Sequence, residues 1–130
     1  MKSFAAQMAD LADKTLAQIE AVTGAASQEL LEIAQTPVAQ GGRMPVDDGF
    51  LRGSLATGLN GTLGKPDVNS YELTIAGFEL GDTIEAVWTA EYARARHYKP
   101  EDFGQGGGMW RDAAAAQWQD LINKHAARLK

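Results

Sequence analysis

Met44-Pro-Val-Asp-Asp-Gly-Phe-Leu-Arg-Gly-Ser-Leu55 is the stretch on which this chain turns. Pro45 restricts Met44 to extended backbone. Asp47 and Asp48 are each able to cap a helix start, where a carboxylate also suits the positive end of the helix dipole. Gly49 gives conformational freedom at the bend. Leu51 and Leu55 stand four apart, which predicts one shared helical face with Arg52 and Ser54 pointing elsewhere. The expected local structure is a turn followed by a short capped helix. On spacing alone nothing more than a loop and one helical turn is required.

Upstream, residues Phe4 to Gln35 predict one long helix. Phe4, Met8, Leu11, Ile19, Val22, Leu30 and Ile33 recur close to a helical period. Ser3 is placed to cap its start, and Thr36-Pro37 ends it, because the residue before a proline avoids the helical region. Gly24 costs about 1 kcal/mol relative to alanine in mid-helix, so a bend or a close packing contact is expected there. The apolar face reads as core, with a partner-helix role as the alternative. Val38 to Arg43 (Val-Ala-Gln-Gly-Gly-Arg) reads as a flexible connector.

Downstream, Thr57 to Leu63 is interrupted by glycine and reads as a weak edge strand or a loop. Tyr71 to Leu80 alternates, with Tyr71, Leu73 and Ile75 on one face. Thr83 to Tyr92 alternates again, and Gly81-Asp82 between them predicts an antiparallel hairpin. A lone hairpin is marginal, so the flanking helices are expected to cover it. Arg94 to Gly108 reads as a long polar loop rich in glycine, of the kind that is functional or orders on binding. Met109 to Leu129 predicts a last helix, with Trp110, Ala114, Trp118, Leu121, His125 and Leu129 on one face. Asp112 near its start and Lys124, Arg128 and Lys130 near its end match the helix dipole. The fold class is α+β: a long N-terminal helix, a small antiparallel sheet with a hairpin, and a C-terminal helix packed on one face.

Bulk properties narrow the function. A chain of 130 residues fits a single domain, 1–130, with a real core. With 45% hydrophobic and 22% charged residues it has an ordinary globular balance. No apolar run approaches a membrane span, and the start lacks the apolar stretch of a signal peptide. There are no cysteines, which rules out disulfides and thiolate metal sites and fits a reducing compartment. Twelve Lys and Arg against 17 Asp and Glu give a net charge of −5. Tight nucleic-acid binding needs a basic footprint, which this chain lacks. An acidic wall around DNA is a different matter, because repulsion lets the polymer slide.

Catalysis finds little support. The acid pairs Asp47-Asp48 and Glu101-Asp102 are adjacent in sequence and sit where helix caps are expected. His97 and His125 have no ligand spacing with each other or with an acid, so no metal site is expected. There is no Gly-x-Ser-x-Gly elbow, and neither glycine-rich segment continues as a phosphate loop. No enzyme activity and no cofactor are expected. Arg94, Arg96 and Lys99, with His97 and Tyr98, form the one basic patch, a candidate contact with an acidic partner or with another copy of the chain. A solvated loop is the plainer alternative.

Pro45-Val-Asp-Asp-Gly-Phe-Leu-Arg-Gly-Ser-Leu55 resembles the "Pro-Val-Asp-Thr-Gly-x-Leu-Arg-x-Ser" segment of the tail-completion, or neck, proteins of long-tailed bacteriophages. The resemblance extends to the order of parts. Members have a helix before the motif, strands after it, a Tyr-Ala near an acid, a loop and a last helix. Here these are Glu91-Tyr92-Ala93 and then Met109-Trp110-Arg111-Asp112-Ala113. Asp48 stands where the family has threonine, and Arg94-Ala-Arg-His-Tyr98 replaces its Glu-x-Gly-Thr. The motif residues carried over are Pro45, Asp47, Asp48, Gly49, Leu51, Arg52 and Ser54. The resemblance implies a non-enzymatic virion protein, made in the host cytoplasm, that assembles as a homo-oligomeric ring at the head–tail junction. Its implied partners are connector and tail-tube proteins, with DNA passing through the channel without sequence-specific binding. A tail terminator that caps the tail tube is a close variant, and a phage-derived gene-transfer particle is an equivalent setting. A small cytoplasmic protein-binding module is the rival of a different class.

Overall fold

Leu55–Leu59 forms β1, the middle strand of an antiparallel sheet of order β2-β1-β3, where β2 is Thr62–Leu63 and β3 is Ile84–Trp88. The computed structural model describes residues 3–6, 16–46, 49–99 and 107–128. β1 and β2 meet through Asn60-Gly61, whose φ angles of 56° and 88° are both positive. That is the backbone of a type I′ hairpin turn, which an Asn-Gly pair adopts at little cost. β3 pairs along the whole of β1, from Leu55 opposite Trp88 to Leu59 opposite Ile84. Within the segment Thr57–Leu63, the first residues are therefore the end of the central strand, and the expected weak edge strand is found only at Thr62–Leu63.

The expected hairpin between Tyr71–Leu80 and Thr83–Tyr92 does not form. Tyr71–Ala76 is an α-helix, α2 in the order used here, and its capping Gly77 returns a backbone N–H to Leu73 and Thr74. Tyr71, Thr74, Ile75 and Phe78 satisfy a helical spacing as well as Tyr71, Leu73 and Ile75 satisfy a strand spacing. The structure chooses the first: Tyr71 and Phe78 are buried, and Leu73 is 87% exposed. Thr74 Oγ1 lies 2.7 Å from Thr57 Oγ1, which pins α2 against β1. The second expected strand is also shorter, ending at Trp88.

The long first helix, α1, runs over Leu16–Ala34, and residues 4–6 are helical as well. Gly24 faces α2, but a Cβ placed there would make only ordinary contact, 3.6 Å from Ile75 Cγ2, so the packing does not require glycine. Val38–Arg43 is an ordered turn, not a flexible connector. It contains a 3₁₀ turn over Val38–Gln40, and Val38 and Met44 exchange backbone hydrogen bonds with each other's segment, 3.1 Å each. The last helix is two pieces, α4 (Trp110–Ala115) and α5 (Trp118–Ala127), separated by a turn at Ala116-Gln117. Both pack on α1. Leu121 is the buried anchor of α5, and Glu29 of α1 receives Lys124 at 2.8 Å and His125 at 3.2 Å.

Candidate functional site

The Met44–Leu55 stretch is a junction of the core. Met44 and Leu51 belong to one buried cluster with Ala34, Ala90, Ala93, Trp110 and Ala114, and Leu55 belongs to a second with Leu31 and Tyr71. Leu30 and Trp88 pack against both. The expected short helix is a single 3₁₀ turn, Arg52–Ser54, and Leu55 is already strand. Leu51 and Leu55 are thus both inward, but not as two steps of one helix. Ser54, expected to point away, is buried, and its hydroxyl donates to the Leu51 carbonyl at 2.7 Å. Gly49 has φ +83°, the left-handed backbone that favours glycine. Pro45 is fully buried. The capping roles expected of Asp47 and Asp48 lie outside the described residues.

One residue that sequence patterns pass over ties this junction together. Gln35 is 2% exposed. Its Nε2 donates to the carbonyls of Arg52 and Val68 at 2.8 Å each, and its Oε1 accepts from Trp88 Nε1 at 2.9 Å. Arg52 returns the contact, its Nε donating to the Gln35 carbonyl at 2.8 Å. A glutamine before Thr-Pro carries no local signal for such a role.

Leu51→Asp tests the burial of the motif. At 3% exposure the carboxylate would lose its hydration inside a cluster of buried apolar side chains. The expected cost is about 3–5 kcal/mol, read as a lower urea midpoint. An unchanged midpoint would place Leu51 outside the core.

The basic segment differs most from expectation. Ala93–Tyr98 is a helix, α3, within the stretch that reads as loop in the sequence. Arg94, Tyr98 and Lys99 are exposed, whereas Arg96 and His97 are buried. The patch is divided because α3 turns one side inward. The Arg96 guanidinium lies 5.5 Å from the Tyr92 ring centre. Arg94 lies 5.3 Å from the Tyr98 ring, and Arg111 of α4 lies 5.7 Å from the same ring and donates to its hydroxyl.

α3, the start of α4 and β3 enclose a groove of about 230 Å³. Ala86, Val87 and Trp88 form its strand side, and Arg94, His97, Tyr98, Trp110 and Arg111 form much of its helical side. His97 stacks edge-on against both Tyr98 and Trp110, at 4.5 and 4.8 Å between centres. Its Nε2 accepts the backbone N–H of Arg111 at 3.2 Å, which places the ring proton on Nδ1. Burial pushes the His97 pKa below its ordinary 6.5. Asp112, whose Oδ1 lies 3.9 Å from Nε2, opposes that shift, and the Arg111 charge adds to it.

Linkage gives the sign of the pH dependence. Below pH 6.5 the unfolded chain takes up a proton that folded His97 resists, so unfolding is favoured. This part of the stability is whole above that pH and falls as the pH drops toward the depressed folded value. Between about pH 7.5 and about pH 5.5, the urea midpoint of the parent should fall further than that of His97→Gln. Equal falls would show that His97 titrates as it does in the unfolded chain.

Among the described residues no group of His, Asp and Glu is placed to hold a metal ion, and no helix is long and apolar enough to cross a membrane. The groove holds two guanidinium groups, a neutral imidazole and a phenol, and its lining contains no carboxylate. It is equipped to bind an anionic group and lacks a paired base and nucleophile. Comparison of the chain with protein-family models, with curated proteins and with solved structures yields no match.

Proposed function

We propose that this protein is a structural component of the head–tail junction of a long-tailed bacteriophage or of a particle derived from one, forming a ring through which DNA passes. The observation that carries this reading is the Pro45–Leu55 motif, standing in the order helix, motif, strands, Tyr-Ala, last helix. The motif's side chains take up packing positions, with Pro45, Leu51, Ser54 and Leu55 buried, as expected of a scaffold segment. A ring subunit offers two unlike surfaces to its neighbours. The sheet ends on one side in the two-residue β2 and on the other in the five-residue β3, so its two margins differ. A net charge of −5 suits a channel that repels DNA.

Native mass spectrometry and negative-stain images of the purified protein test the reading. The expected result is a closed ring of identical subunits that is also present in purified particles. A strict monomer absent from particles would overturn it. A position directly on the uppermost tail-tube ring would assign the terminator variant, and a position above it the neck.

A further inference from the structure

Among the described residues, the pairing of β3 with β1 uses only part of the backbone of β3. Thr89 donates to Ser54 O and Asn60 donates to Thr83 O, both at 2.9 Å. With the register of Leu55 opposite Trp88, these fix Thr83, Glu85, Val87 and Thr89 as the residues whose backbone faces β1. The N–H and C=O groups of Ile84, Ala86 and Trp88 face outward, away from the sheet. Among the described residues β3 is the last strand on that side. Natural edge strands are blunted by lysine, proline, a bulge or a cover. Ile84-Glu-Ala-Val-Trp88 has no lysine or proline, pairs without a bulge, and has Val87 43% exposed.

This edge opens into the groove beside α3. Arg94 and Tyr98 are one helical turn apart on the groove wall, and Arg94 and Arg111 both rest on the Tyr98 ring. Arg111 is shared with Asp112 at 3.1 Å, so Arg94 is the main cation offered to a ligand. A strand edge facing a helix across a narrow groove is the geometry in which extended peptides add to a sheet.

We propose that the groove between β3 and α3 takes an extended acidic segment of another protein, added as a fourth strand along Ile84–Trp88 with a carboxylate against Arg94. Charge complementarity selects this occupant: the lining is cationic, and extended backbone is what the Ala86 N–H and C=O require. A second copy of the chain fits less well. Among the described residues its β2 has only Thr62 and Leu63 and no carboxylate, and its β3 has one carboxylate, Glu85, and would bring a second cationic groove beside the first. The inference rests on the edge and the groove, not on the phage reading, and stands or falls separately from it.

The test uses the full chain and short capped peptides as probes: one alternating valine and aspartate, its lysine counterpart, and an N-methylated form of the first. The aspartate peptide is expected to shift the backbone amide resonances of Ile84, Ala86 and Trp88, and to bind more weakly at high salt. Ala86→Pro removes one outward N–H without touching the β1 ladder and should abolish binding. Arg94→Glu should weaken binding at least tenfold and, being at an exposed position, leave the melting temperature unchanged. Val87→Glu keeps every backbone group and sets a carboxylate beside the edge; it is the second variant should the proline disturb the fold, and should weaken the aspartate peptide at least tenfold. Equal binding of the lysine or N-methylated peptide, or no binding of any peptide by the folded protein, overturns the proposal. So does self-association through β3 that Ala86→Pro removes, because the occupant would then be a second copy.

Discussion

Gln35→Leu is expected to be among the most destabilising single changes in this protein, although leucine matches glutamine in size and suits a buried site. The substitution removes no apolar contact. It leaves the carbonyls of Arg52 and Val68 and the indole N–H of Trp88 without the partner that each now has at 2.8–2.9 Å. Each buried polar group left unsatisfied costs about 1–3 kcal/mol, so the sum is about 4 kcal/mol. For a domain whose total stability lies in the range of about 5–15 kcal/mol, that is a large fraction. The melting temperature should fall by about 10 °C or more. Trp88→Phe should cost less, because one bond is lost and the other two remain. The double variant should cost less than the sum of the two, since the Trp88–Gln35 bond is counted in both. A melting temperature of Gln35→Leu within about 2 °C of the parent would show that the three bonds contribute nothing net.

The second large effect is at Gly58. A Cβ on this residue would overlap the carbonyl oxygen of Thr62 and stand 2.7 Å from its carbonyl carbon and 2.9 Å from Leu63 Cα. These are backbone atoms of the paired strand, so no rotamer change relieves the overlap. Gly58→Ala must open the β1–β2 hairpin or shift its register, and a shift by one residue turns every side chain to the other face. The expected loss is about 3 kcal/mol or more, measured by chemical unfolding. Gly53→Ala is the internal control. The nearest atom to its added methyl is Val68 Cγ2 at 3.9 Å, so its effect should stay within about 0.5 kcal/mol. Similar losses for both would mean that the general glycine cost, not the Thr62 contact, sets the effect.

The α+β class, the long first helix and the end of that helix at Thr36-Pro37 are legible in the sequence, because apolar period and proline act locally. The sheet is harder to read. Tyr71–Ala76 fits two periods at once, and only packing decides that Leu73 faces solvent while Tyr71 faces Leu55. The true hairpin has a signal in Asn60-Gly61, overshadowed by the glycines around it. The inward direction of Leu51 and Leu55 is legible too, but a spacing of four reads as a helical step, and a strand begins between them. The basic run 94–99 is visible as charge. That α3 buries His97 and Arg96 and leaves Arg94 at a groove depends on Trp110 and β3, which are separate segments of the chain. Gln35 illustrates the same limit, since all three partners of its side chain come from other segments.

The central strand also sets an order in time. β1 meets β2 across Asn60-Gly61 alone, a closure that takes on the order of microseconds. Its other partner, β3, must return from beyond segment 60–83, which contains α2. Until it arrives, β1 is itself an open edge, carrying Leu55 and Ala56 that later become fully enclosed. The slower closure is therefore expected to be that of β3, and pairing of an open β1 with the wrong strand is the misfolding error to which this topology is most exposed.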